Sequence, residues 1–159
     1  MQRRDVIKTS LCLPAIAAPF FAYAHHGWSS FDQERPLYLE GKVVKVMWQN
    51  PHAELEIELP ATLKLPTDLM QRALPAQTAP VNGKALIEKA VLPQRRDKRW
   101  EIELAPLTRL QAWNVAEIKV GTLVSILGFT FTAEKGDAVL RAEYLFVEGK
   151  TYGLRSNPA

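Results

Sequence analysis

One short segment constrains the fold more than any other: from Ala53 to Leu59 the chain alternates Ala53, Leu55, Ile57 and Leu59 with Glu54, Glu56 and Glu58. A period of two sends successive side chains to opposite faces, so this is a strand with one face in a core and one in water. A helix of the same sequence would scatter both sets around its circumference. The preceding segment, Leu39 to Trp48, carries Val43, Val44, Val46, Met47 and Trp48, residues that fit a pleated surface, and it ends at the turn Gln49-Asn50-Pro51-His52. The two are close enough to form a hairpin.

The same signal returns three times. In Arg99 to Leu104, Trp100, Ile102 and Leu104 share a face; Thr122 to Phe131 is largely apolar, with Gly128 marking a bend or bulge. Ala138 to Val147 is expected to place Leu140, Ala142, Tyr144 and Phe146 on one face and Arg141 and Glu143 on the other, and Thr151 to Leu154 adds a short edge strand. Pro106 opens a short helix, Leu107 to Trp113. Five main strands with a helix between the third and fourth predict a mainly β fold, a small antiparallel OB-like β-barrel, with a two-sheet sandwich as the alternative. Residues 60–98 interrupt the pattern, with Pro60, Pro66, Pro75, Pro80 and Pro93 and a closing charge cluster, Arg95 to Arg99. This stretch reads as a long insertion, either functional or mobile, with short helices over Leu63–Leu74 and Lys84–Leu92.

Residues 1–24 have the three parts of a secretory signal: a basic start, an apolar stretch from Leu11 to Phe21, and the small-x-small end Ala22-Tyr23-Ala24. Arg3-Arg4-Asp5-Val6-Ile7-Lys8 resembles the twin-arginine export pattern. The apolar stretch is about half of the roughly 20 residues that span a bilayer, and Pro14 and Pro19 interrupt it, so no retained membrane anchor is expected. The expected mature chain is one barrel domain, 25–159, periplasmic or secreted, cleaved near Ala24/His25. Cys12 lies in the signal, so that chain has no disulfide, thiolate site or Cys nucleophile. It keeps 17 Lys+Arg against 16 Asp+Glu, a balance that argues against a nucleic-acid partner.

His25-His26-x-Trp28-Ser29-x-Phe31-Asp32, Gly41-x-Val43, Trp48-x-Asn50-Pro51-His52-Ala53, Trp100-x-Ile102-Glu103 and Gly121-x-x-Val124-x-x-x-Gly128 together resemble the exported bacterial domains grouped as DUF6152. The resemblance covers the mature chain apart from the insertion and implies an exported, small, β-rich domain of uncharacterised function.

All three histidines fall within these motifs. Cleavage after Ala24 gives His25 a free α-amine beside its imidazole, two nitrogens that chelate one metal, and His52 or His26 supplies a third, a set suited to Cu(II) and second to zinc. The metal residues expected are thus His25, His26 and His52, with Asp32 as an oxygen ligand or a loop cap. The competing reading leaves the histidines as a polar start and a structural turn residue, and makes the chain a metal-free module. In that case the barrel face and the insertion bind a periplasmic partner protein or a small ligand. The four tryptophans are expected chiefly in the core. Ser29 and Ser30 beside His26 lack a nucleophile elbow, Glu101 and Glu103 share a strand face without a pocket motif, and no catalytic set is legible.

Overall fold

The structure, a computed structural model, describes residues 27–159. The expected export segment and His25 and His26 lie outside the described residues. The strands are β1 (Leu37–Met47), β2 (Glu54–Glu58), β3 (Arg99–Glu103), β4 (Leu123–Phe129), β5 (Val139–Val147) and β6 (Lys150–Gly153), with α1 (Gly83–Lys89) before β3 and α2 (Leu107–Ala112) after it. They lie in the order β3-β2-β1-β4-β5-β6, and β3 also pairs with β5, which closes a five-stranded OB-like barrel. Every pair is antiparallel except the closing one, where Glu101–Glu103 runs parallel to Val139–Arg141. The expected small, mainly antiparallel OB-like barrel is thus observed, closed by one parallel seam. A closed ring with an odd number of strands cannot alternate direction at every seam.

The inward faces of the strands meet in one core that includes Leu39, Val43, Leu55, Ile57, Trp100, Ile102, Ile126 and Leu140, and Leu110 of α2 closes one end of it. Trp48 and Trp113 pack against this core half-buried. Two register shifts bend the strands. In β1 the pairing with β2 skips Val44, and in β5 the pairing with β4 skips Glu143, opposite Gly128. Gly128 is required there, because a Cβ would sit 2.2 Å from the Arg141 carbonyl oxygen. The shift at Glu143 also overturns the expected single face of β5. Leu140, Ala142 and Leu145 enter the barrel core, whereas Tyr144 and Phe146 point outward.

Those outward rings are covered by the insertion, which is folded rather than loose. Leu69, Ile87 and Ala90 pack on Tyr38, Leu127, Tyr144 and Phe146 to form a second core. Each buried large side chain of this set contributes about 1.5–3 kcal/mol. The helix expected over Leu63–Leu74 shrinks to one 3-10 turn, Leu69–Gln71, since Pro66 and Pro75 bracket it. The second expected helix is α1. Asn82 caps it by accepting from the Ala85 N–H at 3.1 Å, and it stops where Val91 bridges to Leu37. The far end of the insertion is tied to the last residues of the chain through Thr78 N–H to Asn157 O and Ala159 N–H to Ala76 O.

Candidate functional site

Three segments far apart in the sequence converge on the guanidinium of Arg141. Parallel pairing puts Arg141 of β5 beside Glu103 of β3, and its Nη1 donates to Glu103 Oε2 at 2.9 Å. The two side chains are 5% and 8% exposed, so this is an ion pair removed from water. From the β1–β2 turn, His52 brings Nε2 to 3.1 Å from Arg141 Nη2. Arginine has no lone pair to offer and stays protonated, so it donates, Nε2 accepts, and the ring proton of a neutral His52 sits on Nδ1. Trp28 places its ring 5.2 Å from the Arg141 Cζ.

A second guanidinium lies against the same tryptophan. Arg155 Cζ is 4.0 Å from the Trp28 ring centre, its Nε donates to Glu143 at 2.7 Å and its Nη1 to Gln33 at 2.9 Å. Glu143 is wholly buried and also accepts from Gln77 of the insertion at 3.0 Å. Burial pushes its carboxyl above the usual range, against the opposing pull of Arg155 and Gln77. The helix α2 completes this end of the barrel. Its Leu107 N–H donates to Asn50 Oδ1 at 3.2 Å, Arg109 Nη1 to Leu154 O at 3.0 Å, and Trp113 Nε1 to Ser156 O at 2.8 Å. Burial, then the charge of Arg141, holds the Arg109 guanidinium below its ordinary value.

Of the residues singled out from the sequence, His52 lies in this cluster. Asp32 is a loop cap, its Oδ1 accepting from the Glu34 N–H at 3.2 Å. Ser29 and Ser30 are exposed on a 3-10 turn. Glu101 and Glu103 do share a face, but Glu103 is bound to Arg141, and the Glu101 carboxyl is raised by burial and by the nearby Glu54, Glu103 and Asp137. Among the described residues no group of three or more His, Cys, Asp or Glu could hold a metal, and His52 is the one histidine described. Likewise, no helix among them is long and apolar enough to cross a membrane. Sequence reasoning missed Arg109, Arg141, Arg155 and Glu143. A detectable signal existed in β5, where a lone arginine and glutamate interrupt an apolar strand, a pattern that predicts buried pairing as well as a solvated face.

The barrel topology and the motif residues gathered at its end define the class: a small OB-like β-domain with an elaborated β2–β3 connection. Within that class, the chain is similar to a family of unknown function, DUF6152, whose model matches residues 14–64. The match takes in the paired histidines, Trp28, Gly41-x-Val43 and the Asn50–His52 turn, and so bears out the resemblance over that stretch. No curated protein and no solved structure matches.

Proposed function

We propose that the protein is an exported periplasmic accessory domain that binds copper at its processed start, through the α-amine and imidazole of His25, with His52 as the third nitrogen and His26 as its substitute. One observation carries this reading: Trp28 and His52 rest on the same Arg141 side chain. His26 precedes Trp28 by two residues and His25 by three, so the reading asks the chain to span no more than about 7–11 Å back from Trp28. The imidazole and amine set suits Cu(II) first and zinc second. His52 gives its Nε2 to a metal only by releasing the Arg141 donor, which leaves Arg141 held by Glu103.

The test is intact mass of the exported protein, followed on the same material by Cu(II) and Zn(II) titration of the wild type, His25→Ala and His52→Ala. A chain starting at His25 that binds Cu(II) tightly, with affinity lost in both variants, supports the reading. A different first residue, or variants that bind as the wild type does, overturns it.

A second reading, a metal-free module, is favoured by the way the insertion meets the barrel. Between them lies a cavity of about 410 Å³ lined by Arg72, Ser125, Phe146, Lys150 and Thr151 among others. Arg72 reaches across it, 4.9 Å from the Phe146 ring and 3.4 Å from Ser125 Oγ. Deleting residues 60–98 would uncover Tyr144 and Phe146, so the cleaner probe is Arg72→Ala. Loss of partner or ligand capture with copper affinity unchanged would favour the module.

A further inference from the structure

A second cavity, of about 360 Å³, opens where the insertion meets the outer face of β5. Its wall is largely apolar: Leu74, Val81 and Ile87 line it together with Tyr144, and Met70 stands there 55% exposed. Gly83 lets α1 lie close against this wall, since a Cβ on it would sit 2.6 Å from Leu74 Cδ1 and 2.7 Å from the Tyr144 hydroxyl. Two cations, Arg72 and Lys84, and no carboxylate line the same space. Arg72 is fixed in place, its Cζ 4.9 Å from the Phe146 ring and 5.8 Å from the Tyr38 ring. Asp68, at 3.2 Å, and Ser125, at 3.4 Å, take two of the five N–H donors of its guanidinium. The other acids of this region are placed or engaged elsewhere. Asp68 lines the neighbouring cavity, and Glu143 is bound to Arg155 and Gln77. Lys84 is exposed, and the ion pair that α1 makes among the described residues is that of Lys89 with Glu34, so Glu88 does not neutralise Lys84. Ala159 meets the rim through its N–H to Ala76 O at 3.2 Å, without an ion pair to Arg72 or Lys84.

We infer that this cavity binds a small amphiphilic carboxylic acid, its apolar body against Met70, Leu74, Val81 and Ile87 and its carboxylate toward Arg72 and Lys84. Size selects the occupant. Small-molecule sites hold roughly 300–1,000 Å³, and this one lies at the lower end, suited to a medium-chain or single-ring acid. Charge selects the head group, because both ionised side chains on the wall are cationic. An arginine already held by two rings loses little freedom on meeting a carboxylate, and its planar fork matches one. Met70, flexible and half in water, adapts to a chain or a ring. The wall supplies the affinity: complete burial of a CH₂ is worth about fourfold, so a half-open cavity should give about two- to fourfold per added CH₂. The site is independent of copper and of His25, and through Arg72 it gives the metal-free reading a class of ligand.

Methionine methyl resonances test the site and locate it. Beyond Met1 the chain has two methionines, Met70 in this cavity and Met47 in a separate pocket beside Lys45 and Glu54. The full exported protein, carbon-13-labelled at the methionine methyls, is titrated at constant ionic strength with butyrate, hexanoate, octanoate, phenylacetate and the uncharged octyl glucoside. The expected result is a saturable shift of Met70 with Met47 unmoved, and an affinity that rises about two- to fourfold per CH₂ from butyrate to octanoate. Tighter octanoate binding identifies a chain acid, and tighter phenylacetate binding a ring acid. Lys84→Glu should weaken binding about tenfold, and Lys84→Gln less. Lys89→Glu, on the same helix but not lining the cavity, makes the same change of net charge and should bind as the wild type does. Thermal melts confirm that each variant is folded. Three results overturn the inference: no shift of Met70 with any acid, octyl glucoside acting as well as octanoate, or Lys84→Glu and Lys89→Glu weakening binding equally, which means screening alone. Because no copper is present in this titration, its failure and the failure of the copper reading are separate outcomes.

Discussion

Replacing Arg141 by methionine should cost about 3–5 kcal/mol of stability, the range seen when one member of a buried ion pair is removed. Glu103 and Arg141 are 8% and 5% exposed at the side chain, so the carboxylate stripped of its partner cannot recover its hydration. An exposed pair on the same sheet provides the contrast: Arg99 donates to Glu56 at 3.1 Å with side chains 62% and 31% exposed. Its loss should cost about 0–1 kcal/mol. A third protein, Glu103→Leu with Arg141→Met, removes both charges and should return to within about 2 kcal/mol of the wild type, since no charge is left unpaired. Urea denaturation at neutral pH measures all three, with a constant m-value as the check that only stability has changed. If Arg141→Met costs no more than Arg99→Met, or if the double variant is as unstable as the single, the pair is screened by solvent and the account of this end of the barrel is wrong.

Other perturbations test other parts of the fold. Gly128→Ala should destabilise by about 3 kcal/mol or more, because the new Cβ meets the Arg141 carbonyl oxygen at 2.2 Å; a thermal melt within a few degrees of wild type would contradict that contact. Glu134 joins the β4–β5 connection to the end of the insertion: it is buried, which alone raises its carboxyl, but the N–H groups of Arg95 and Gln94 and the guanidinium of Arg35 outweigh burial and hold it low. A carboxyl lowered in the folded state stabilises above its unfolded value and loses that contribution as pH falls through the folded one. Glu134→Gln should therefore cost about 2 kcal/mol at neutral pH and progressively less in acid, and a pH-independent difference would refute the assignment. Asn82→Ala removes the cap of α1 and should cost about 1 kcal/mol, whereas Asn82→Gly should cost a few tenths, both read from urea midpoints.

The barrel was legible because its strands obey a simple period. Ala53 to Leu59 and Arg99 to Leu104 alternate cleanly, and both became strands paired in register, Leu55 opposite Ile102 and Ile57 opposite Trp100. Alternation misled only where a strand breaks its own period. In β5 the skipped Glu143 turns Tyr144 and Phe146 outward, and nothing within that strand announces the skip, since the glycine that demands it is on β4. The insertion was recognised from its prolines, but its packing was not, because two aromatic rings on the outer face of a barrel look the same in sequence as two rings on the inner one. The site was half legible. His52 was found by its turn and its rarity, while Arg141 and Arg155 were missed because a charge in a strand is ordinarily a charge in water, and its burial depends on a partner set by the parallel seam.

The contact between Arg155 and the beginning of the described chain has a consequence for how the molecule assembles. Arg155 Nη1 reaches Gln33 over a sequence separation of 122. Closing so long a loop carries an entropic cost that grows slowly with length but must be met before the contact gives anything back. The hairpin of β1 and β2 needs only its own turn and can form early. The end of the barrel around Trp28 and Arg141, in contrast, joins segments far apart in sequence and should form late. Its contacts with Trp28 and Gln33 should be made once the barrel has closed and the segment around Arg155 docks, so that the barrel precedes the cluster at its end.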